Sequence, residues 1–198
     1  MELIIVRHGR PERVEGIDGG ADPALNEIGH EQAEKVGAWL AEEHIDAIYV
    51  SPMLRARHTA APLERIVRMD AVVVEGIKEF DAEEASYIPM DEMKEDKEAW
   101  RAWLLEHGDK NRAEFNATVR ESIEKIVADH RGHRVAIVCH GGTINAWAAG
   151  VLGLGDKMFF APDYTSINRF MAASSGERSV LSLNETGHLR DHDHLRLL

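Results

Sequence analysis

Short apolar runs alternate along this chain with longer segments whose apolar positions recur every three or four residues, the signatures of buried strands and amphipathic helices. Leu3-Ile4-Ile5-Val6 has no polar alternation, which predicts a strand covered on both faces, as in a parallel sheet between helices. Asp46–Val50, Ala71–Val74 and Arg134–Cys139 predict three more strands. Between them, Asn26–Leu40 spaces Ile28, Ala33, Val36, Trp39 and Leu40 helically, and Met53–Ala61 opens a helix behind Pro52, where proline suits a helix start. Glu114–His130 places Phe115, Val119, Ile123, Ile126 and Val127 on one stripe, and Thr143–Leu152 predicts another helix. Ser166–Ala173 and Ser179–Leu183 read as an antiparallel hairpin at the sheet edge. The expected architecture is a three-layer α/β/α sandwich with a mostly parallel central sheet.

Two stretches interrupt this rhythm. Arg10–Pro23, with Gly16, Gly19 and Gly20, predicts a long exposed loop. Such loops at a sheet's carboxyl edge carry function, so Arg10 and Arg13 are candidate substrate contacts. Residues 81–111 are acidic and helical in composition, predicting a small helical cap insertion whose apolar residues, among them Tyr87, Met90, Trp100 and Trp103, pack within the cap. The 198 residues otherwise fit a single domain, 1–198. The run His188–His194 reads as a loosely ordered polar tail in preference to a metal site.

The net charge of −12 argues against a nucleic-acid surface, which is built by neutralising phosphates with Lys and Arg. An anionic ligand must therefore meet a local positive cluster. The single cysteine excludes an internal disulfide framework and suits a reducing compartment. No stretch approaches the roughly 20 apolar residues that span a bilayer, and Met1-Glu2 leads directly into the first strand without a leader pattern. The expected setting is cytoplasmic, with no membrane partner. An apolar cap face would equally serve as a subunit interface, which leaves a homodimer open.

Two strands end in the same way: Val6-Arg7-His8-Gly9 and Cys139-His140-Gly141-Gly142. Strand carboxyl ends open into the ligand crevice of an α/β sheet, so neighbouring strands would bring His8 and His140 to one edge. The helix after Ser51-Pro52 begins at such an edge and makes Arg55 a third candidate; Glu79 comes close if the cap folds back. Arginines provide planar forks for paired hydrogen bonds to phosphate oxygens, and the helix after Gly142 adds backbone N–H groups. Neighbouring cations disfavour a protonated imidazole, keeping His8 nucleophilic. A partly occluded carboxyl at Glu79 could serve as leaving-group acid. Cys139, inside an apolar strand, is a poor nucleophile. Gly150, Gly153 and Gly155 follow a helix instead of opening one, which excludes a dinucleotide phosphate loop.

Taken together, five stretches resemble the histidine phosphatase superfamily, the phosphoglycerate mutase-like proteins, over nearly the whole chain. Arg7-His8-Gly9 is similar to the phospho-acceptor motif, and Leu25–Ala33 to the family's helix-opening Leu-Thr-Glu-x-Gly-x-x-Gln-Ala. Ser51–Ala60 matches Ser-Pro-Leu-x-Arg-Ala-x-x-Thr-Ala; Ile77-Lys78-Glu79 and His140-Gly141-Gly142 complete the set. The resemblance implies a metal-independent phosphomonoester hydrolase without cofactor, acting on a small phosphorylated metabolite through a phosphohistidine on His8, with Glu79 as proton donor and Arg7, Arg55, His140 and Gly141 on the phosphoryl group. A phosphoglycerate mutase or a non-catalytic phospho-ligand binder are the alternatives. Chain length and the acidic cap favour hydrolysis. One departure stands out: the family's Glu-Thr or Glu-Ser after Arg-His-Gly is replaced by Arg10-Pro11, so Arg10 or Arg13 would have to supply a missing phosphate contact.

Overall fold

The computed structural model describes residues 1–98, 100–102 and 112–196. Strands β1 (Glu2–Arg7), β2 (Ala47–Val50), β3 (Val72–Val73), β4 (Arg134–Cys139), β5 (Ile167–Ala172) and β6 (Arg178–Glu185) form one sheet in the order β3-β2-β4-β1-β5-β6. The first four are parallel, and β5 and β6 run antiparallel as the expected edge hairpin. The helices that frame the sheet and the site are α1 (Glu27–Leu40), α2 (Leu54–Val67), α3 (Met90–Glu95), α4 (Ala113–Asp129) and α5 (Gly141–Leu152).

The unbroken apolar character of β1 follows from its central place. Ile4 and Val6 point into a core with Val36 and Leu40 of α1 and Ala56, Ala60 and Leu63 of α2. Leu3 and Ile5 point to the opposite core, with Val119 and Ile123 of α4 and Ile144 and Trp147 of α5. Adjacent strand residues face opposite sides, so both neighbours must be apolar when both faces are covered. This is a mixed α/β sheet between two helical layers.

Local chemistry sets the helix ends. The Asn26 side chain accepts from the Gly29 N–H at 2.8 Å and caps α1. Gly153, at φ 69°, terminates α5 in the left-handed conformation. α5 begins two residues earlier than its apolar periodicity predicts, because His140 is extended and acts as its N-cap.

Two expectations need correction. The third strand is only Val72–Val73, and both valines are exposed: it is the outermost strand, paired on one side alone, and the chain leaves at once into a turn at Glu75–Ile77. The loop 10–23 is largely exposed, as expected, and is tied to the cap by one bridge, in which Val14 and Tyr87 exchange backbone hydrogen bonds at 3.0 and 2.7 Å. The C-terminal stretch packs against the body. His188, Leu189 and Leu195 are buried, and Gln32 Nε2 donates to the Leu195 carbonyl at 2.7 Å. Of the cap, 99 and 103–111, which include Trp103 and Leu104, lie outside the described residues. Among the described residues no helix is long and apolar enough to cross a membrane.

Candidate active site

β1 and β4 pair in parallel with Arg7 opposite Cys139, so the next residues, His8 and His140, leave the sheet side by side. Their ring centroids lie 5.2 Å apart. His8 is 2% exposed and His140 fully buried. The His8 N–H donates to the β4 end at Cys139 O, 2.9 Å, which fixes the backbone at the turn. Gly9 is required there: a Cβ at this position would stand 2.6 Å from the Gly29 carbonyl oxygen. The Gly9 N–H donates to Thr59 Oγ1 at 2.9 Å, linking this turn to α2.

The tautomer of His8 follows from one contact. Its Nδ1 lies 2.7 Å from the Gly9 carbonyl oxygen, an acceptor only, so Nδ1 carries the hydrogen and Nε2 keeps its lone pair. Burial, then the charges of Arg55 and Arg7, hold its pKa well below the ordinary imidazole value. His140 is held neutral by burial and by Arg55, His8 and Arg7. Its Nε2 lies 2.7 Å from Ser51 Oγ. The buried Ser51 hydroxyl receives the Met53 N–H at 3.4 Å and has no other acceptor among the described residues, so its O–H donates to His140 Nε2 and the ring hydrogen lies on Nδ1.

Both arginines are fixed by stacking and by contacts that leave part of each guanidinium unused. Arg7, 5% exposed, places its guanidinium carbon 4.2 Å from the Tyr164 ring centroid and donates from Nη1 to the Pro162 carbonyl. Arg55, fully buried, lies 4.7 Å from the Tyr87 ring centroid and 3.4 Å from Asp81 through Nη2. Arg7 Nε, Arg55 Nε, Arg55 Nη1 and His140 Nδ1 are buried and have no hydrogen-bond partner in the protein. Buried donors are almost always satisfied; Arg7 and Arg55 line one cavity with His8, and His140 stands beside His8 though not on that cavity's wall, an arrangement whose free donors suit an anion.

Glu79 lines the same cavity. Its Oε2 accepts from the Gly142 N–H at 2.8 Å and its Oε1 from the Phe80 N–H at 3.1 Å. Burial and the nearby Asp81 raise its pKa to about 7, against the pull of those two hydrogen bonds and of Arg55. Gly142 is as necessary as Gly9: a Cβ there would overlap Glu79 Oε1 and come 2.7 Å from Phe80 Cδ1. The cavity is small, about 50 Å³, with Tyr87 and Met90 of the cap on its wall. Those two residues therefore face the site, where the sequence reading placed them in the cap's own packing. Gly141 also lines it.

Arg10 and Arg13 are engaged elsewhere. Arg10 bonds to Asp91 at 2.8 Å and Glu92 at 2.6 Å, and Arg13 to Glu15 at 2.6 Å and Glu92 at 3.2 Å. Neither lines the cavity. Arg10 instead secures α3, since Asp91 also accepts from Tyr164 Oη at 3.1 Å and Tyr164 stacks on Arg7. His58 stacks on His30 at 5.5 Å, away from the site. Cys139 is buried with its pKa pushed far up by desolvation, which leaves it a thiol. Sequence reasoning passed over Ser51, Thr59, Tyr164 and Asp81 as site residues and gave Tyr87 to the cap's own packing. Ser51 and Thr59 flank Arg55 in one motif-bearing segment; the two tyrosines carried no local signal.

Residues 3–186 match the histidine phosphatase superfamily (branch 1). Phosphoserine phosphatase 1 of Hydrogenobacter thermophilus is 28% identical over 96% of this chain and 94% of its own. A bifunctional protein of Mycobacterium tuberculosis is 28% identical over 94% of this chain and 54% of its own length, so the chain spans about half of that relative. The crystal structure of an Entamoeba histolytica phosphoserine phosphatase mutant in complex with phosphoserine matches with a TM-score of 0.74, covering 95% of this chain and 98% of that one at 23% identity. The paired histidines at adjacent strand ends, the two buried arginines and the glutamate held at Gly142 thus lie in a chain that belongs to the histidine phosphatase superfamily.

Proposed function

We propose that this chain is a metal-independent phosphomonoesterase that works through a phosphohistidine on His8. The four buried, unpartnered donors of Arg7, Arg55 and His140 around an imidazole whose Nε2 keeps its lone pair carry this reading. A phosphoryl dianion supplies the acceptors those donors lack, and phosphoryl transfer needs chiefly positioning and charge stabilisation. The relatives named as phosphoserine phosphatases support hydrolysis of a small phosphorylated metabolite.

In the first step His8 Nε2 attacks phosphorus and the P–O bond to the alcohol breaks. Glu79 gives its proton to the departing oxygen and becomes a carboxylate. A carboxyl with a pKa of about 7 is half protonated near neutrality, so it can donate here and accept in the next step. In the second step water loses a proton to Glu79 as it attacks the phosphohistidine, releasing phosphate and neutral His8. Arg7, Arg55, His140 Nδ1 and the first turn of α5 at Gly141 hold the oxygens throughout.

The test is phosphate release from a panel of phosphomonoesters in excess chelator, beside a phosphoglycerate mutase assay, with acid-stable and acid-labile phosphoprotein followed by phosphorus NMR. Release through an acid-labile phosphohistidine that His8→Ala abolishes is the expected result. Substantial turnover by His8→Ala, loss of activity in chelator, or transfer to phosphoglycerate in place of release would each overturn the proposal.

A further inference from the structure

A second, larger cavity of about 680 Å³ shares Glu79 and Phe80 with the catalytic one. This inference rests on the phosphatase reading. If Glu79 protonates the leaving oxygen, the alcohol must extend past Glu79, because the catalytic cavity of about 50 Å³ holds little beyond the phosphoryl group. Arg112 stands in the larger cavity, 5% exposed, with its guanidinium carbon 4.4 Å from the Phe80 ring centroid. Phe80 is held in turn by an edge contact to Phe115 at 5.9 Å. The backbone of Arg112 is the N-cap of α4, so its base is anchored to a rigid element.

Its Nε and Nη2 are buried and have no hydrogen-bond partner. These two nitrogens form one edge of the guanidinium plane, the edge whose parallel N–H groups match the two oxygens of a carboxylate. Leaving both unpaired in the interior is costly, and neither the catalytic step nor the fold uses them. Glu83, Glu84 and Glu114 also line the cavity, while Glu75 is paired with Lys78 at 2.7 Å, so a second dianionic phosphate would meet net like charge there, which an ammonium group beside a carboxylate offsets.

We infer that Arg112 reads a carboxylate on the leaving alcohol, so the preferred substrates are phosphomonoesters of hydroxy acids that also carry an ammonium group.

The measurement is kcat/KM for O-phosphoserine and for O-phosphoethanolamine, which lacks the carboxylate, in the wild type, Arg112→Lys and Arg112→Met. Methionine keeps an apolar stem against Phe80. The wild type should prefer O-phosphoserine by at least about tenfold, the worth of a charged paired hydrogen bond. Arg112→Met should bring the ratio close to one, mainly through KM for O-phosphoserine, and Arg112→Lys should retain part of it. A wild type that treats the two esters alike, or a ratio unchanged in Arg112→Met, overturns the inference while leaving the phosphatase reading standing. Release from no ester by the wild type overturns that reading, and this inference falls with it.

Discussion

Gly142→Ala separates catalysis from stability at one atom. The added Cβ overlaps Glu79 Oε1 and lies 2.7 Å from Phe80 Cδ1, so the Glu79 carboxylate must move and lose its 2.8 Å hydrogen bond from the Gly142 N–H. The nearer colliding atom is the end of a flexible side chain, and the Phe80 ring edge must shift by a few tenths of an ångström. Relief therefore costs near the low end of the roughly 1–3 kcal/mol typical of overpacking, offset by the roughly 1 kcal/mol by which alanine favours a helix over glycine. The midpoint of thermal unfolding should shift by no more than a few degrees. Catalysis is more sensitive, because a positioned general acid contributes about 10²- to 10⁴-fold.

The leaving group distinguishes the cause. An alkyl phosphate needs its alkoxide protonated, whereas nitrophenolate leaves without help. kcat/KM reports steps up to phosphohistidine formation, so the later role of Glu79 toward water does not enter. Gly142→Ala should lower kcat/KM about 10²-fold for an alkyl ester and less than about tenfold for p-nitrophenyl phosphate. Equal losses for both esters, or an alkyl ester within twofold of wild type, would refute the reasoning that Gly142 exists to admit the acid.

Three further outcomes are expected. kcat/KM should fall as pH rises through about 7, where Glu79 loses its proton, and the acid limb should lie well below 6.5, where His8 gains one; Asp81→Asn removes a carboxylate that raises the Glu79 pKa, so the basic limb should move to lower pH, and an unmoved or upward limb would count against this assignment. Ser51→Ala removes the partner of His140 Nε2 and should lower kcat/KM about tenfold, with nitrogen NMR showing mixed His140 tautomers in place of a pure Nδ1–H form; an unchanged tautomer would refute the network. Leu195→Ala, at a fully buried position of the C-terminal stretch, should destabilise the protein by about 2–5 kcal/mol in denaturant unfolding, and a loss under about 0.5 kcal/mol would show the stretch to be undocked.

The sequence by itself determined the strands, the chief helices and which polar residues gather at the candidate site. These are local signals: an unbroken apolar run demands burial on both faces, and a strand that stops at Arg-His-Gly or Cys-His-Gly-Gly places its polar residues at the carboxyl edge wherever that strand sits. Arg55 and Glu79 followed from short motifs at the same edge. The tertiary structure decided where long charged side chains find their partners. Arg10 and Arg13 occupy the loop the sequence flagged, yet the acids that claim them, Asp91 and Glu92, lie about eighty residues away, and only the fold brings α3 against that loop. Arg112 had no motif around it; its unpaired edge exists because Phe80 and α4 bury it beside Glu79. Val72 and Val73 read as an ordinary strand but form an exposed edge, and Leu189 lies in the run read as a loose tail but is buried. Hydrophobicity gives a residue's preference, while the neighbours that satisfy or deny it are set by chain segments distant in sequence.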